Sequence, residues 1–197
     1  MKRQVRTIPT QFRANDDNGN LSIDGYFAVF DSIYEIAEGM TESIEKGAFT
    51  SSMENDVRAL VNHDSTLVLG RTKAQTLELK QDDHGLWGHV DINPNDTDAM
   101  NLYARVQRGD VDQCSFGFFI RDEEPISSEN GSVHWTIKDV DLFEVSCCTF
   151  PAYEETNIQA RTQERANIQK RELESFKIRM KERLSHGTKS IDAPKED

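Results

Sequence analysis

Three short segments hold residue types capable of acyl-transfer chemistry. Asn62-His63-Asp64 puts a histidine at the end of a mostly apolar run, Val57 to Val61, with Leu69-Gly70-Arg71-Thr72 close behind. Cys114-Ser115-Phe116-Gly117-Phe118 sets a serine among aromatic residues and a glycine. Asp141-Leu142-Phe143-Glu144-Val145-Ser146 places a carboxylate inside an apolar run. A serine hydroxyl attacks a carbonyl efficiently when a base takes its proton, and histidine is suited to that task. A carboxylate can then hold the imidazole and stabilise the imidazolium that forms.

What these residues can reach depends on the strands that carry them. Side chains alternate between the two faces of a strand. Cys114, Phe116, Phe118 and Ile120 therefore share one face, and Ser115, Gly117 and Phe119 the other. The large apolar residues anchor the core while Ser115 points away from it, and Gly117 leaves room for a backbone to approach. Cys114 is the better nucleophile by chemistry but falls on the core side. His63 continues the alternation of Val57, Ala59 and Val61 and is expected to point inward at the strand's end. Glu144 shares its face with Leu142, Ser146, Cys148 and Phe150.

Each residue also has a plainer reading. Ser115 fits a small strand residue, and His63 fits a hydrogen-bonded structural histidine. A carboxylate inside an apolar run needs a cation or several donors, so Glu144 fits a salt bridge with an arginine such as Arg71 as well as it fits a partner for histidine. Asp141 is a nearby alternative at the start of the same strand. A metal site built from His63, Asp64, His84 and His89 lacks the ligand spacing of zinc sites. There is no Gly-rich phosphate loop, and no cofactor is expected.

The surrounding pattern is mostly strand. Residues 1–30 read as strands broken by the turn cluster Asp16-Asp17-Asn18-Gly19-Asn20. Ile33 to Met40 reads as a surface loop, Thr50 to Asn55 as a short helix, and Thr76–Leu79 with Gly85–Ile92 as a hairpin. Thr97 to Arg108 carries an apolar stripe of Ala99, Leu102, Tyr103 and Val106 at helical spacing, and Gly109 is placed to end it. Strand signals resume at Gln113–Ile120, Val133–Ile137 and Leu142–Phe150, and Pro151 stops the last. This pattern predicts an α+β fold with a closed or nearly closed antiparallel β-barrel flanked by helices. Residues 1–160 form the expected catalytic domain. Residues 161–184 form a charged helical tail with a narrow seam of Leu173, Phe176, Met180 and Leu184, and residues 185–197 a disordered terminus.

Charge and cysteine content exclude some classes of function. The formal charge of −12 is uneven: residues 1–160 carry −15, whereas residues 161–183 carry +4. An acidic body disfavours non-specific nucleic-acid binding. Cys114, Cys147 and Cys148 are odd in number, two are adjacent, and all lie in strand-like runs, so they read as reduced packing residues of a reducing cytoplasm. No apolar stretch approaches the roughly 18 residues of a membrane span. The basic start, Met1 to Arg6, lacks the apolar core of a signal peptide.

Taken in order, these segments resemble the prohead (capsid maturation) proteases of tailed bacteriophages, serine peptidases related in fold to herpesvirus maturation proteases (assemblin). The elements that carry the resemblance are Gly25-Tyr26-Phe27-Ala28-Val29-Phe30; Glu42 through Lys46-Gly47-Ala48-Phe49; Asn62-His63-Asp64 with Leu69-Gly70-Arg71-Thr72; Gly85-Leu86; the helix ending at Gly109; Ser115-Phe116-Gly117-Phe118; and Glu144-Val145-Ser146 before Pro151-Ala152-Tyr153. The resemblance implies an endopeptidase inside the assembling procapsid in the host cytoplasm. Its implied substrates are the scaffolding protein, the scaffold-like segment of the major capsid protein, and itself. A homodimer is compatible with this reading. By position, the resemblance makes His63 the general base, Ser115 the nucleophile and Glu144 the third member, where the herpesvirus relatives use a second histidine. Cys147-Cys148 stands where bulkier aliphatics are usual, a difference expected to alter packing rather than chemistry. Two other readings stay open: a non-catalytic scaffolding protein on the same fold, against which intact His63 and Ser115 argue, and an esterase, which lacks a G-x-S-x-G elbow.

Overall fold

The computed structural model describes residues 4–9, 13–150 and 155–187, with the side chains of 7–9, 155–158, 160 and 185–187 outside that description. Among the described residues eleven strands and two α-helices follow one another: β1 (Gln4–Pro9), β2 (Arg13–Asp17), β3 (Asn20–Val29), β4 (Tyr34–Ala37), β5 (Met40–Ile44), β6 (Arg58–Val61), β7 (Asp64–Arg71), β8 (Leu77–Gln81), β9 (Gly85–Asp91), α1 (Thr97–Arg108), β10 (Gln113–Ser127), β11 (Val133–Cys148) and α2 (Glu155–Gly187). The fold class is α+β.

The strands form two sheets. The larger runs β1-β10-β11-β5-β4, and β6 also pairs with β11 and carries β7 on its far side. The smaller runs β2-β3-β9-β8 and is antiparallel throughout. A closed antiparallel barrel is therefore not what these residues build. The reason lies in β11. One of its edges pairs with β10 along nearly its whole length, while the other is divided, Val133–Ile137 with β5 and Glu144–Cys147 with β6, both in parallel. Parallel pairs are joined by long crossovers, so no local pattern announces them. The segments Val133–Ile137 and Leu142–Phe150, expected as separate strands, fall on this single long strand as far as Cys148, where it ends. The expected loop from Ile33 to Met40 contains β4 and its turn into β5.

The two sheets share one apolar core. Ile23, Phe27, Leu86 and Val90 come from the smaller sheet, and Phe116, Phe118, Val140, Leu142 and Val145 from the larger. The stripe of α1, Ala99, Leu102, Tyr103 and Val106, is buried in it. Asp96 caps the helix by accepting from Asp98 N and Ala99 N, and Gly109 ends it at a φ of 85°, a conformation that costs a residue without Cβ little. The Tyr103 hydroxyl donates to Asn15 O at 3.1 Å and ties the helix to β2.

The chain separates into two compact units, 1–157 and 158–197. In the second, α2 exposes Leu173, Phe176, Met180 and Leu184. The helix runs to Gly187, and residues 188–197, expected as part of a disordered end, lie outside the described residues, as do Pro151-Ala152-Tyr153. Among the described residues no helix is long and apolar enough to cross a membrane.

Candidate active site

His63 does not sit at the end of a strand. Val61 pairs with Asp64, which leaves Asn62 and His63 as the two central residues of the tight turn between β6 and β7. Both have positive φ, 50° and 62°, as a two-residue hairpin turn requires. Asn and His are among the non-glycine residues that tolerate this region best. The turn is fastened to the end of β11: Asn62 N donates to Cys147 O at 2.9 Å, and Asn62 Oδ1 accepts from Thr149 N at 2.9 Å. The imidazole is thus carried on a rigid corner with its side chain 15% exposed.

Glu144 is the buried partner of that imidazole. His63 Nδ1 lies 2.6 Å from Glu144 Oε1, while the second oxygen, Oε2, accepts from the Ser146 hydroxyl at 2.6 Å. The carboxylate is 2% exposed. With both oxygens engaged, it fixes the proton of a neutral imidazole on Nδ1 and leaves Nε2 as the basic nitrogen. Gly117 stands directly opposite Glu144 on β10. A Cβ there would overlap Glu144 Oε1 and lie 2.8 Å from its Cγ and from Phe143 Cε2. The space left by Gly117 is therefore taken by the glutamate side chain rather than by an approaching backbone.

A bulge sets this arrangement. Gly117 pairs with Glu144 but Phe118 pairs with Leu142, so Phe143 is an extra residue on β11. The shift sends Leu142 into the core beside Phe118 instead of onto the face of Glu144, where simple alternation puts it. Phe143 stacks obliquely on Phe119, ring centres 5.1 Å apart.

Ser115 occupies the same face, opposite Ser146, but does not touch His63. Its hydroxyl donates to Arg6 O on β1 at 2.8 Å, and the residue is fully buried. β1 covers it by pairing along β10 from Gln4↔Phe118 to Pro9↔Gln113. β1 is anchored by Arg6, whose guanidinium forms a buried two-pronged ion pair with Glu42 of β5. Cys114 faces the core, as the alternation predicts, and its thiol donates to Tyr26 O at 2.7 Å.

The atom next to His63 Nε2 is Cys148 Sγ, at 3.6 Å. Cys148 is buried, as a packing residue is, and its thiol also faces Nε2 of the imidazole. Burial, reinforced by the nearby Glu144 charge, pushes its pKa up to about 12. Strand alternation places both Ser146 and Cys148 on the face of Glu144, and that was the signal available for them. The alternatives to Glu144 and to its histidine partner are engaged elsewhere. Arg71 grips Asp56 through Nε at 2.7 Å and a terminal nitrogen at 2.6 Å, and this hydrogen bond holds the Asp56 carboxyl down at about 2. Asp141 accepts from Asn55 Nδ2 at 2.8 Å and pairs with Arg121. Of the residues weighed and set aside as metal ligands, His89 bonds Asp24 and Asp91 on the smaller sheet.

An imidazole oriented by a buried carboxylate, on a sheet face that also carries a serine, has the components of a hydrolase. The chain belongs to the caudovirus prohead serine protease family, which it matches over residues 9–171. It is 28% identical over 167 residues to the prohead protease of Enterobacteria phage HK97, an alignment spanning 81% of this chain and 70% of that protein. Among solved structures, the capsid assembly protease of bacteriophage T4 aligns over 75% of this chain and 97% of that one, with a TM-score of 0.47 and 10% identity.

Proposed function

We propose that the protein is a serine endopeptidase with Ser115 as nucleophile, His63 as general base and Glu144 as the residue that orients the base. Ser115 Oγ attacks the scissile carbonyl, and His63 Nε2 takes its proton and delivers it to the leaving amine. Water then releases the acyl group by the same route in reverse. Glu144 keeps the proton of neutral imidazole on Nδ1 and stabilises the imidazolium between steps. The observation that carries this reading is the His63 Nδ1–Glu144 Oε1 hydrogen bond on the sheet face that also holds Ser115. Catalysis then requires the Ser115 hydroxyl to leave Arg6 O and meet Nε2, so the described arrangement is a resting one.

One observation favours a second reading, a cysteine nucleophile: Cys148, not Ser115, lies at Nε2. A nucleophilic thiol needs a lowered pKa, whereas Cys148 is held near 12. Ser115 is preferred for that reason and for the family's serine chemistry.

The substrates in this proposal are the scaffolding protein or the scaffold-like segment of the major capsid protein, together with the protease itself, all inside the procapsid. Residues 161–184 act as a tail that docks on scaffold or capsid protein through the exposed Leu173–Leu184 seam and is later removed by self-cleavage. Co-expression with capsid and scaffold proteins tests the whole reading. Shortened capsid or scaffold chains in procapsids, and full-length ones with Ser115→Ala, are expected. Undiminished processing by Ser115→Ala moves the nucleophile to another residue.

A further inference from the structure

The sheet face that carries Ser115 and Glu144 also carries two arginines for which the peptidase mechanism has no use. Ala59 and Val61 of β6 lie in the core, so Arg58 and Leu60 point to the opposite face. Arg58 stands beside Glu144 in the parallel β11–β6 pairing and directly opposite Arg71 on β7. Gly117, Glu144, Arg58 and Arg71 thus follow one another across β10, β11, β6 and β7. Like charges placed opposite each other on neighbouring strands are destabilising. Asp56 offsets this by bridging the pair. Its carboxylate accepts from Arg71 at 2.7 and 2.6 Å and from Arg58 at 3.2 Å, and its carbonyl oxygen accepts from Arg58 at 2.8 Å. Lys73 Nζ lies 3.9 Å from the same carboxylate. Three cations therefore surround one carboxylate, while residues 1–160 together carry −15. A guanidinium has five N–H donors. Arg58 and Arg71 each give two of theirs to Asp56, and their side chains are 41% and 42% exposed. Oriented forks with donors left over suit the recognition of a further carboxylate.

We infer that Arg58, backed by Arg71 and Lys73, is a specificity subsite that takes an acidic side chain, Asp or Glu, of the substrate peptide. Its position relative to the cut bond rests on Ser115 being the nucleophile. Arg58 and Ser115 are two strands across and two residues along from each other, about 12 Å at ~4.8 Å per strand and ~3.4 Å per residue. An extended peptide covers that distance in about three or four residues. The reach of both side chains widens the window to roughly two to four residues from the scissile bond. A carboxylate there meets a cluster that Asp56 only partly neutralises. A Lys or Arg at the same position meets like charges, so the subsite selects by repulsion as well as by attraction.

A peptide library made from a digested proteome, treated with the full-length protein and read by mass spectrometry, reports preferences on both sides of the cut. Wild type should enrich Asp and Glu, and deplete Lys and Arg, at one position two to four residues from the cut bond. Arg58→Gln should flatten that preference and raise KM about tenfold for a synthetic peptide with Glu at that position, with kcat little changed. Arg58→Lys, which keeps the charge and loses the fork, should retain part of the preference. Lys80→Gln, on the smaller sheet, should retain all of it. Wild-type products with no acidic position in that window, or an unchanged preference in Arg58→Gln, overturn the subsite and leave the peptidase reading standing. A preference lost in Arg58→Gln alongside cleavage that persists in Ser115→Ala keeps the subsite and moves the nucleophile. A wild type that cleaves no library peptide overturns both.

Discussion

Gly117→Ala tests how the carboxylate is held. The added Cβ would overlap Glu144 Oε1 and crowd Glu144 Cγ and Phe143 Cε2, both at 2.8 Å. The Glu144 side chain is 2% exposed, so it is enclosed by protein on nearly every side. Forcing a methyl group into such a site costs roughly 1–3 kcal/mol of stability. The relief open to the structure is a shift of the carboxylate, which breaks the bond to His63 Nδ1. A hydrogen bond to a charged group contributes about 1.5–3 kcal/mol, and at about 1.4 kcal/mol per decade its loss lowers kcat roughly tenfold to 150-fold. KM should change little, because in the proposed mechanism the carboxylate orients the base rather than binding the peptide. Urea unfolding and steady-state peptide hydrolysis measure the two effects. Shortening the acid by one methylene, Glu144→Asp, makes room for the methyl, so the double variant should lose less stability than the two single losses added together. A Gly117→Ala enzyme with wild-type stability and kcat refutes the packing argument, and strict additivity in the cycle separates the methyl from the carboxylate.

Three further outcomes are expected. Glu144→Gln should fold but lose activity by up to about 10⁴-fold, since an amide that donates toward Nδ1 holds the imidazole in the wrong tautomer; full activity in peptide hydrolysis would remove Glu144 from the site. Glu42→Gln leaves the Arg6 charge buried without its carboxylate, a loss of about 3–5 kcal/mol; a urea midpoint unchanged from wild type would contradict the anchoring of β1. Burial lowers the pKa of His89, but the Asp24 and Asp91 carboxylates override it and raise the value above 6.5. The stability this confers is fully present below 6.5 and lost as pH rises through the folded value. NMR titration of the His89 ring should show a midpoint above 6.5 that falls in Asp24→Asn.

The local elements of the fold were legible because each has its own short-range physics. The helix at Thr97–Arg108 declares itself through a 3.6-residue stripe and a glycine stop, and the β8–β9 hairpin through its turn residues. The core side of β10 follows from the alternation of Cys114, Phe116 and Phe118. What was illegible depends on contacts distant in sequence. Nothing near β11 signals that β5 and β6 share one of its edges in parallel, so two sheets read as a barrel. The bulge at Phe143 shifts Leu142 off the face of Glu144, an insertion that simple alternation cannot show. For Glu144 the sequence left a cation and a histidine as equal partners, and the tertiary placement of the His63 turn and of Arg71 against Asp56 separates them. That β1 lies over Ser115 had no signal at all, since pairing between residues 4–9 and 113–118 is a matter of topology.

The central proposal is that Ser115 is the nucleophile, although the structure sets Cys148 beside His63 Nε2. A fluorophosphonate, which phosphonylates activated serines with loss of fluoride, followed by peptide mass mapping of the full-length protein, tests it directly. The account predicts one equivalent of label on the peptide carrying Ser115, lost in His63→Ala and retained in Cys148→Val. Label on Cys148 or Ser146, or an active peptidase that takes no label on Ser115, would contradict it.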